Sequence, residues 1–174
     1  MNRDQLIERI NDVAILRGDF TLRSGRKSKY YVDKYLFETQ PDILKALGVL
    51  FGQHVGQDVD RLAGAELGGI PLVTAAGLAT GLPLVLIRNA KKDYGTAKQL
   101  EGALNSGDRV MIVEDIATTG GQVLEAAKVL EAQGAQVVKI VAVVDRQEGA
   151  REHIEGGGYV FEALFTKADL GIDQ

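Results

Sequence analysis

The stretch Arg109-Val110-Met111-Ile112-Val113-Glu114-Asp115-Ile116-Ala117-Thr118-Thr119-Gly120-Gly121 decides how this chain folds. Its four consecutive apolar residues predict a buried strand at residues 109–114. A polar turn with two glycines follows, and the pattern after it predicts a helix at residues 121–133. A strand, a turn and a helix in this order are typical of the βαβ units of a parallel sheet.

The segments on both sides repeat this alternation of strand and helix. Strands are predicted at Arg61–Ala65 and at residues 84–88, 137–145 and 159–164, and a helix is predicted at residues 70–80. The apolar runs are short and nearly continuous, as in central strands covered on both faces, although buried helix turns give a similar pattern. We therefore predict an α/β fold with a central, mostly parallel sheet flanked by helices.

The N-terminal segment predicts a small cap on this core. A helix should open the chain and end near Gly18, because apolar residues recur there at helical spacing. Residues 30–35 favour a strand after a basic turn. A further helix should begin at Pro41 and end near Gly52.

Length, charge and composition exclude several classes of function. The chain has 174 residues, a formal net charge of -4 and no cysteine. The negative charge argues against binding to nucleic acid or to an anionic membrane, and the missing cysteines exclude disulfides and thiolate chemistry. The charged N-terminus lacks the apolar core of a signal peptide, and no run of about 18 apolar residues could cross a bilayer. We therefore expect a cytoplasmic protein.

The acidic pair and the glycine turn predict a site for a sugar phosphate. Ligands of open α/β sheets bind at the carboxyl ends of the strands, where Glu114 and Asp115 should lie. The glycines allow the first backbone N–H groups of the next helix to approach a phosphate, and carboxylates bind ribose hydroxyls or contribute to a Mg²⁺ site. The alternative is a solvated pair of acids before an ordinary helix, with Thr118 or Thr119 as its N-cap.

Two further segments predict contacts with a ligand. Glycines after the short strand at Arg61–Ala65 could bring backbone N–H groups to a pyrophosphate, although close packing of helix on sheet explains them equally well. Residues 89–108 form a long polar connection, which we predict to be a mobile loop over the site; a β-hairpin or a surface excursion is the alternative. We expect a single domain, with the cap at residues 1–40 and the core, including this loop, at residues 41–174.

The segment quoted first closely resembles the phosphoribosyl-pyrophosphate (PRPP) signature of the type I phosphoribosyltransferases. Other segments resemble the orotate-specific branch of that family. They are Phe20-Thr21-Leu22-Arg23-Ser24-Gly25-Arg26-Lys27-Ser28, Gly68-Gly69-Ile70-Pro71, Arg88-Asn89-Ala90-Lys91-Lys92-Asp93-Tyr94-Gly95 and Asp145-Arg146-Gln147-Glu148-Gly149. The resemblance covers most of the chain and implies the type I phosphoribosyltransferase fold.

The resemblance implies a role for each matching residue. The PRPP-binding residues would be Arg88, Lys92, Tyr94, Glu114, Asp115, Ile116, Ala117, Thr118, Thr119, Gly120, Gly121 and Gln122. The pyrophosphate loop would be Glu66, Leu67, Gly68 and Gly69, although some relatives carry a lysine near Gly68. Orotate would bind to Thr118, Arg146 and Arg23; for Arg146, a salt bridge to Glu148 is the alternative.

The implied reaction transfers the 5-phosphoribosyl group from PRPP to orotate in UMP biosynthesis and releases pyrophosphate. Lys92, Arg88 and Asp115 would be catalytic, and Mg²⁺ would be held mainly by substrate oxygens. The resemblance also implies a homodimer whose loop reaches the partner's site. Asn89 replaces a lysine of the family pattern, and Arg23 replaces a frequent lysine. The alternatives are a purine phosphoribosyltransferase and a non-enzymatic PRPP sensor on the same fold.

Overall fold

A computed structural model describes residues 1–21, 25, 27–89 and 99–172. Among the residues singled out above, Arg23, Lys92 and Tyr94 lie outside the described residues. Within the part of the chain that is described, no helix combines the length and the apolar character needed to span a bilayer.

The chain opens with a helix and a small antiparallel sheet. These elements are α1 (Arg3–Ala14), β1 (Ile15–Thr21) and β2 (Lys27–Val32), followed by a short helix α2 (Lys34–Glu38) and by α3 (Pro41–His54). Asn2 and Gln5 form a reciprocal capping box that fixes the start of α1. The cap therefore differs from the expectation, because α1 ends at Ala14 rather than near Gly18 and a strand follows it directly.

A six-stranded sheet forms the centre of the molecule. In chain order the remaining elements are β3 (Arg61–Ala65), α4 (Gly69–Thr80), β4 (Leu84–Ile87), β5 (Leu100–Glu101), β6 (Arg109–Ala117), α5 (Gly121–Glu131), β7 (Gln136–Asp145), α6 (Ala150–Gly156) and β8 (Phe161–Thr166). The strand order is β5-β4-β3-β6-β7-β8, and every neighbouring pair is parallel except β4 with β5. The predicted α/β class with a mostly parallel sheet is confirmed.

The sheet is buried on both faces, as its continuous apolar strands predict. One face packs residues such as Met111 and Val113 of β6 against α1, α3 and α4, and the other packs Val110 and Ile112 with the apolar side of α5 and α6. Two core layers on one sheet leave the ends of the strands as the place where polar side chains can gather.

Three boundaries correct the sequence expectations. β6 continues to Ala117 rather than ending at residue 114, because its last residues pair with β7 as far as Asp145. Residues 30–35 do not form one strand, since β2 ends at Val32 and α2 begins at Lys34. Residues 89–108 include β5, which pairs antiparallel with β4. The base of that connection is thus the hairpin given as the alternative.

Candidate active site

A cleft of about 590 Å³ lies at the carboxyl ends of β3, β4 and β6. Its volume falls within the range of small-molecule sites. Its lining contains six of the described residues expected from the sequence, and it also contains Lys34, which was not expected. The polar members used below are Lys34, Glu66, Arg88, Glu114, Asp115 and Gln122.

The acidic pair approaches this cleft from both faces of the sheet. Neighbouring side chains of a strand point to opposite faces, so Glu114 shares the face of Ile112, below α5, while Asp115 shares the face of Val113. Both carboxyl groups nevertheless line the cleft, because β6 ends there. Asp115 is only 4% exposed, so the alternative of two solvated acids is wrong for this residue.

Asp115 is held by a lysine that the sequence did not reveal as part of the site. The Nζ atom of Lys34, the first residue of α2, donates to Oδ2 of Asp115 at 2.6 Å. The other carboxylate oxygen accepts from the backbone N–H of Ile116. The two ends of the Lys34 contact are 81 residues apart in the chain, which explains why no local pattern predicted it.

A second acid, Glu38, is buried beside this pair. It is 1% exposed, and neither carboxylate oxygen has a hydrogen-bond partner among the described residues. Burial, followed by the charge of Asp115, raises the pKa of Glu38 to about 8. Burial and then Asp115 also raise the pKa of Glu114 to about 8. The raised pKa values favour the protonated forms of Glu114 in the cleft and of Glu38 beside it at neutral pH.

The turn after β6 encloses a small cavity of about 80 Å³. Its lining runs from Ile116 to Val123 and includes Glu114, so it suits one compact group such as a phosphate. The N-cap of α5 is Gly120, with φ of +77°, and no side chain caps the helix. Neither Thr118 nor Thr119 is the N-cap, so that part of the alternative is wrong. The first N–H groups of α5 thus remain available to an anion.

A short helix supports this turn from behind. A Cβ atom at Gly120 would lie 2.8 Å from Cγ1 of Ile154 in α6, and Nδ1 of His153 donates to the Thr119 carbonyl at 2.8 Å. Helix α6 was not predicted from the sequence. Its contacts with Gly120 and Thr119 hold the turn in position.

Three glycines at the junction of β3 and α4 serve two different purposes. Gly64 and Gly69 allow α4 to pack on β3, since a Cβ at Gly64 would lie 2.4 Å from the Gly69 carbonyl oxygen. This is the helix-packing alternative. Gly68 instead faces the site, because its Cβ would lie 1.9 Å from Oδ2 of Asp115. The peptide bond between Glu66 and Leu67 is cis.

The residues that flank the segment 90–98 are held by hydrogen bonds beside the turn between β3 and α4. Oε2 of Glu66 accepts from the backbone N–H of Asn89 at 3.0 Å, and the N–H of Arg88 donates to the Gln99 carbonyl at 2.8 Å. The guanidinium of Arg88 lies 3.8 Å from Glu101, and its Nε atom has no hydrogen-bond partner among the described residues. Arg88 therefore brings a partly unsatisfied cation to the cleft.

Arg146 lies next to the turn that follows β6, at the end of β7. Its backbone N–H donates to the Ala117 carbonyl at 3.0 Å, and the turn is shaped by Gln147, whose φ is +55° and whose N–H donates to Asp145. The Arg146 guanidinium forms an ion pair with Glu148 at 3.0 Å. The salt bridge given as the alternative is present, and a carboxylate ligand would have to share the guanidinium with it.

Another depression of similar size, about 580 Å³, lies between α1 and α3. Helical side chains such as Leu6, Val49 and Leu50 line it. The cleft at the strand ends is the better candidate, because it gathers buried acids and cations beside two glycine turns.

The chain matches known proteins over nearly its whole length. The family described as phosphoribosyl transferase domain matches residues 36–163. An orotate phosphoribosyltransferase of Thermococcus gammatolerans is 46% identical over 172 residues, which are 97% of this chain and 91% of the relative.

Solved structures agree with the sequence match. The orotate phosphoribosyltransferase of Mycobacterium tuberculosis, in complex with Fe(III) dicitrate, has a TM-score of 0.89 at 33% identity and covers 97% of this chain and 98% of its own. The same enzyme in complex with PRPP has a TM-score of 0.84 at 32% identity, with the same coverage. The chain belongs to the phosphoribosyl transferase domain family and, within it, to the orotate phosphoribosyltransferases.

Proposed function

We propose that this protein transfers the 5-phosphoribosyl group from PRPP to orotate, which gives orotidine 5-phosphate and pyrophosphate. It is a pentosyltransferase, as are the relatives whose chains match it at full length. The alternatives considered from the sequence, a purine phosphoribosyltransferase and a non-enzymatic sensor, find no support among these relatives.

One structural relationship supports the proposal most directly. The turn that follows the acidic pair and the residue that would bind orotate are joined by the hydrogen bond from the N–H of Arg146 to the Ala117 carbonyl. A phosphate on the turn, a ribose on the acids and a base beside Arg146 then form one continuous nucleotide site. The guanidinium can bind the orotate carboxylate through two parallel N–H groups.

The chemistry asks mainly for positioning and charge stabilisation. As orotate attacks the anomeric carbon, positive charge develops on the ribose and negative charge on the departing pyrophosphate. We assign Glu114 and Asp115 to the ribose hydroxyls and the turn at residues 117–122 to the 5-phosphate. Arg88 and Lys92 would stabilise the leaving group, and Tyr94 would join them when the segment 90–98 covers the cleft.

The cleft fits Mg²⁺ that arrives with the substrate. Within the described ranges, no group of three or more His, Cys, Asp or Glu side chains could hold a metal. Mg²⁺ commonly takes one or two carboxylates and completes its shell with phosphate oxygens and water. Glu114 and Asp115 would be the carboxylates nearest to it. When bound, the ion would neutralise charge on the pyrophosphate.

We further propose a cytoplasmic homodimer in which the segment 90–98 of one subunit completes the active site of the other. The anchoring of both ends of this segment at the rim of the cleft, through Asn89 and Gln99, is compatible with such a reach. Closed homodimers use one patch twice, so two equivalent sites would form.

A direct assay tests the reaction. Purified protein with PRPP and Mg²⁺ should consume orotate, followed by the loss of orotate absorbance, and should leave uracil, hypoxanthine and adenine unchanged. Consumption of a purine in place of orotate would identify the purine enzyme. PRPP binding without consumption of any base would identify the sensor.

A further inference from the structure

Acidic residues outnumber basic ones in the lining of the cleft, although PRPP is itself strongly anionic. Among the described lining residues, Glu66, Glu114, Asp115 and Glu125 are acids, while Lys34 and Arg88 are the bases. In the turn at residues 66–69, the one charged residue is Glu66. A pyrophosphate on this turn therefore needs a cation from elsewhere in the fold.

Lys34 brings such a cation into the cleft. Its Nζ atom lies 2.6 Å from Oδ2 of Asp115, and its side chain is 32% exposed, whereas that of Asp115 is 5% exposed. Lys34 thus lines the cleft with part of its side chain exposed, while the carboxylate it contacts is buried.

The same carboxylate oxygen links Lys34 to the glycine turn. Oδ2 of Asp115 lies 1.9 Å from the position that a Cβ atom of Gly68 would take. The ammonium that holds Oδ2 must therefore lie a few ångströms from the backbone of Gly68. A ligand held on this turn comes within reach of Lys34.

Lys34 also has donors to spare. A lysine ammonium has three N–H donors, and the contact with Asp115 is its one hydrogen bond among the described residues. Its other close neighbour is the ring of Tyr35, whose centroid lies 5.3 Å from Nζ. It can therefore keep Asp115 in place and still donate to a phosphate oxygen.

We propose that Lys34 is a pyrophosphate-binding residue of this site, which donates to the leaving group of PRPP while it remains paired with Asp115. The proposal rests on the function proposed above and adds a contact from the N-terminal cap to the turn at residues 66–69. The other role open to Lys34 is structural, in which it only neutralises the buried carboxylate of Asp115.

Binding of two different ligands separates these roles. Inorganic pyrophosphate with Mg²⁺ tests the leaving-group side, and orotidine 5-phosphate tests the ribose side that Asp115 serves. In calorimetry, Lys34→Ala should weaken pyrophosphate binding by about tenfold or more, the scale of one lost hydrogen bond between charged groups. The same variant should lose about five times less affinity for orotidine 5-phosphate than for pyrophosphate, because Asp115 itself is retained.

Two further variants keep the test decisive. Lys34→Gln retains an N–H donor for Asp115 without the charge, so it should fold and still lose affinity for pyrophosphate. Lys34→Arg should retain most of that affinity. As a matched control, Lys45→Ala removes an exposed lysine of α3 outside the cleft and should leave the affinity for both ligands unchanged.

The outcomes are distinct. If pyrophosphate binding is unchanged in Lys34→Ala and Lys34→Gln, or if both ligands weaken equally, Lys34 has only the structural role. If the wild-type protein consumes no orotate, the proposed function itself is wrong, whatever the lysine variants bind. A wild-type protein that is active and a Lys34 variant that binds pyrophosphate normally would overturn this inference alone.

Discussion

The carboxylate of Asp115 occupies the space that a side chain at Gly68 would need. A Cβ there would lie 1.9 Å from Oδ2 of Asp115 and 2.9 Å from Oε1 of Glu38. The turn between β3 and α4 and the end of β6 therefore fit together only because residue 68 has no side chain.

Gly68→Ala should displace Asp115 and weaken its contact with Lys34. We expect a loss of stability of about 1–3 kcal/mol, as for other overpacked sites, together with weaker binding of PRPP. Urea unfolding and calorimetry with PRPP and Mg²⁺ measure the two effects. Gly156→Ala is the matched control, because a Cβ at Gly156 has open space around it. Equal behaviour of the two variants would contradict the contact described.

Glu38→Gln should change how stability depends on pH. The pKa of Glu38 is raised from 4.5 to about 8 in the folded protein. Between these values the unfolded chain loses the proton and the folded chain keeps it, so stability falls as the pH rises from 4.5 to 8. The glutamine amide cannot ionise. Between pH 4.5 and 8 the free energy of unfolding of the variant should therefore fall by about 2–4 kcal/mol less than that of the wild type.

Unfolding in urea at several pH values between 4 and 9 checks this slope. Glu8→Gln, at an exposed position of α1, is the control and should follow the wild type. Parallel curves for the wild type and Glu38→Gln would show that Glu38 does not keep its proton in the folded state.

Arg146→Lys should affect orotate rather than PRPP. A lysine keeps the charge but cannot present two parallel N–H groups to a carboxylate, so the KM for orotate should rise about tenfold or more. The KM for PRPP should change by less than about twofold, because the phosphate turn contacts Arg146 through its backbone. Arg151→Lys, on the exposed side of α6, is the control. An equal rise in both KM values would show that Arg146 does not bind orotate specifically.

Mixing two inactive variants tests the shared active site. Lys92→Ala should lower turnover by about 10², the scale of one lost transition-state donor, and Asp115→Asn should be similarly impaired. In a mixed dimer one site would receive both intact residues, so random exchange should restore about a quarter of wild-type activity. A mixture that stays inactive although exchange is verified would mean that each subunit uses its own Lys92.

The sequence predicted the elements whose pattern is local and strong. The strand Arg61–Ala65 was predicted with its observed bounds, and the predicted start of β7 is one residue late. Both predictions succeed because continuous apolar runs are typical of central strands in a parallel sheet. The short helix α2 and the exposed strand β1 were not predicted, since five residues and a half-exposed strand carry too weak a period.

The site was predictable where its residues belong to local motifs. Glu114, Asp115 and the turn after them form one segment, which the family resemblance also covers. Lys34 and Glu38 reach Asp115 from a distant part of the chain, so their role depends on the tertiary fold. The one local signal was an acid, Glu38, directly after Leu36 and Phe37 in a half-apolar segment. Arg23, Lys92 and Tyr94 remain predictions.

The pairing of β6 with β7 sets a fixed length scale for whatever this protein recognises. Ala117 and Asp145 are paired in register, so the turn at residues 117–122 and Arg146 begin at neighbouring positions of the two strands. Paired neighbouring strands keep these two positions at a constant separation, so a ligand that contacts both must span that distance. Under the function proposed above, substitutions at residues 146–149 should therefore change which base is bound without changing how the sugar phosphate is bound.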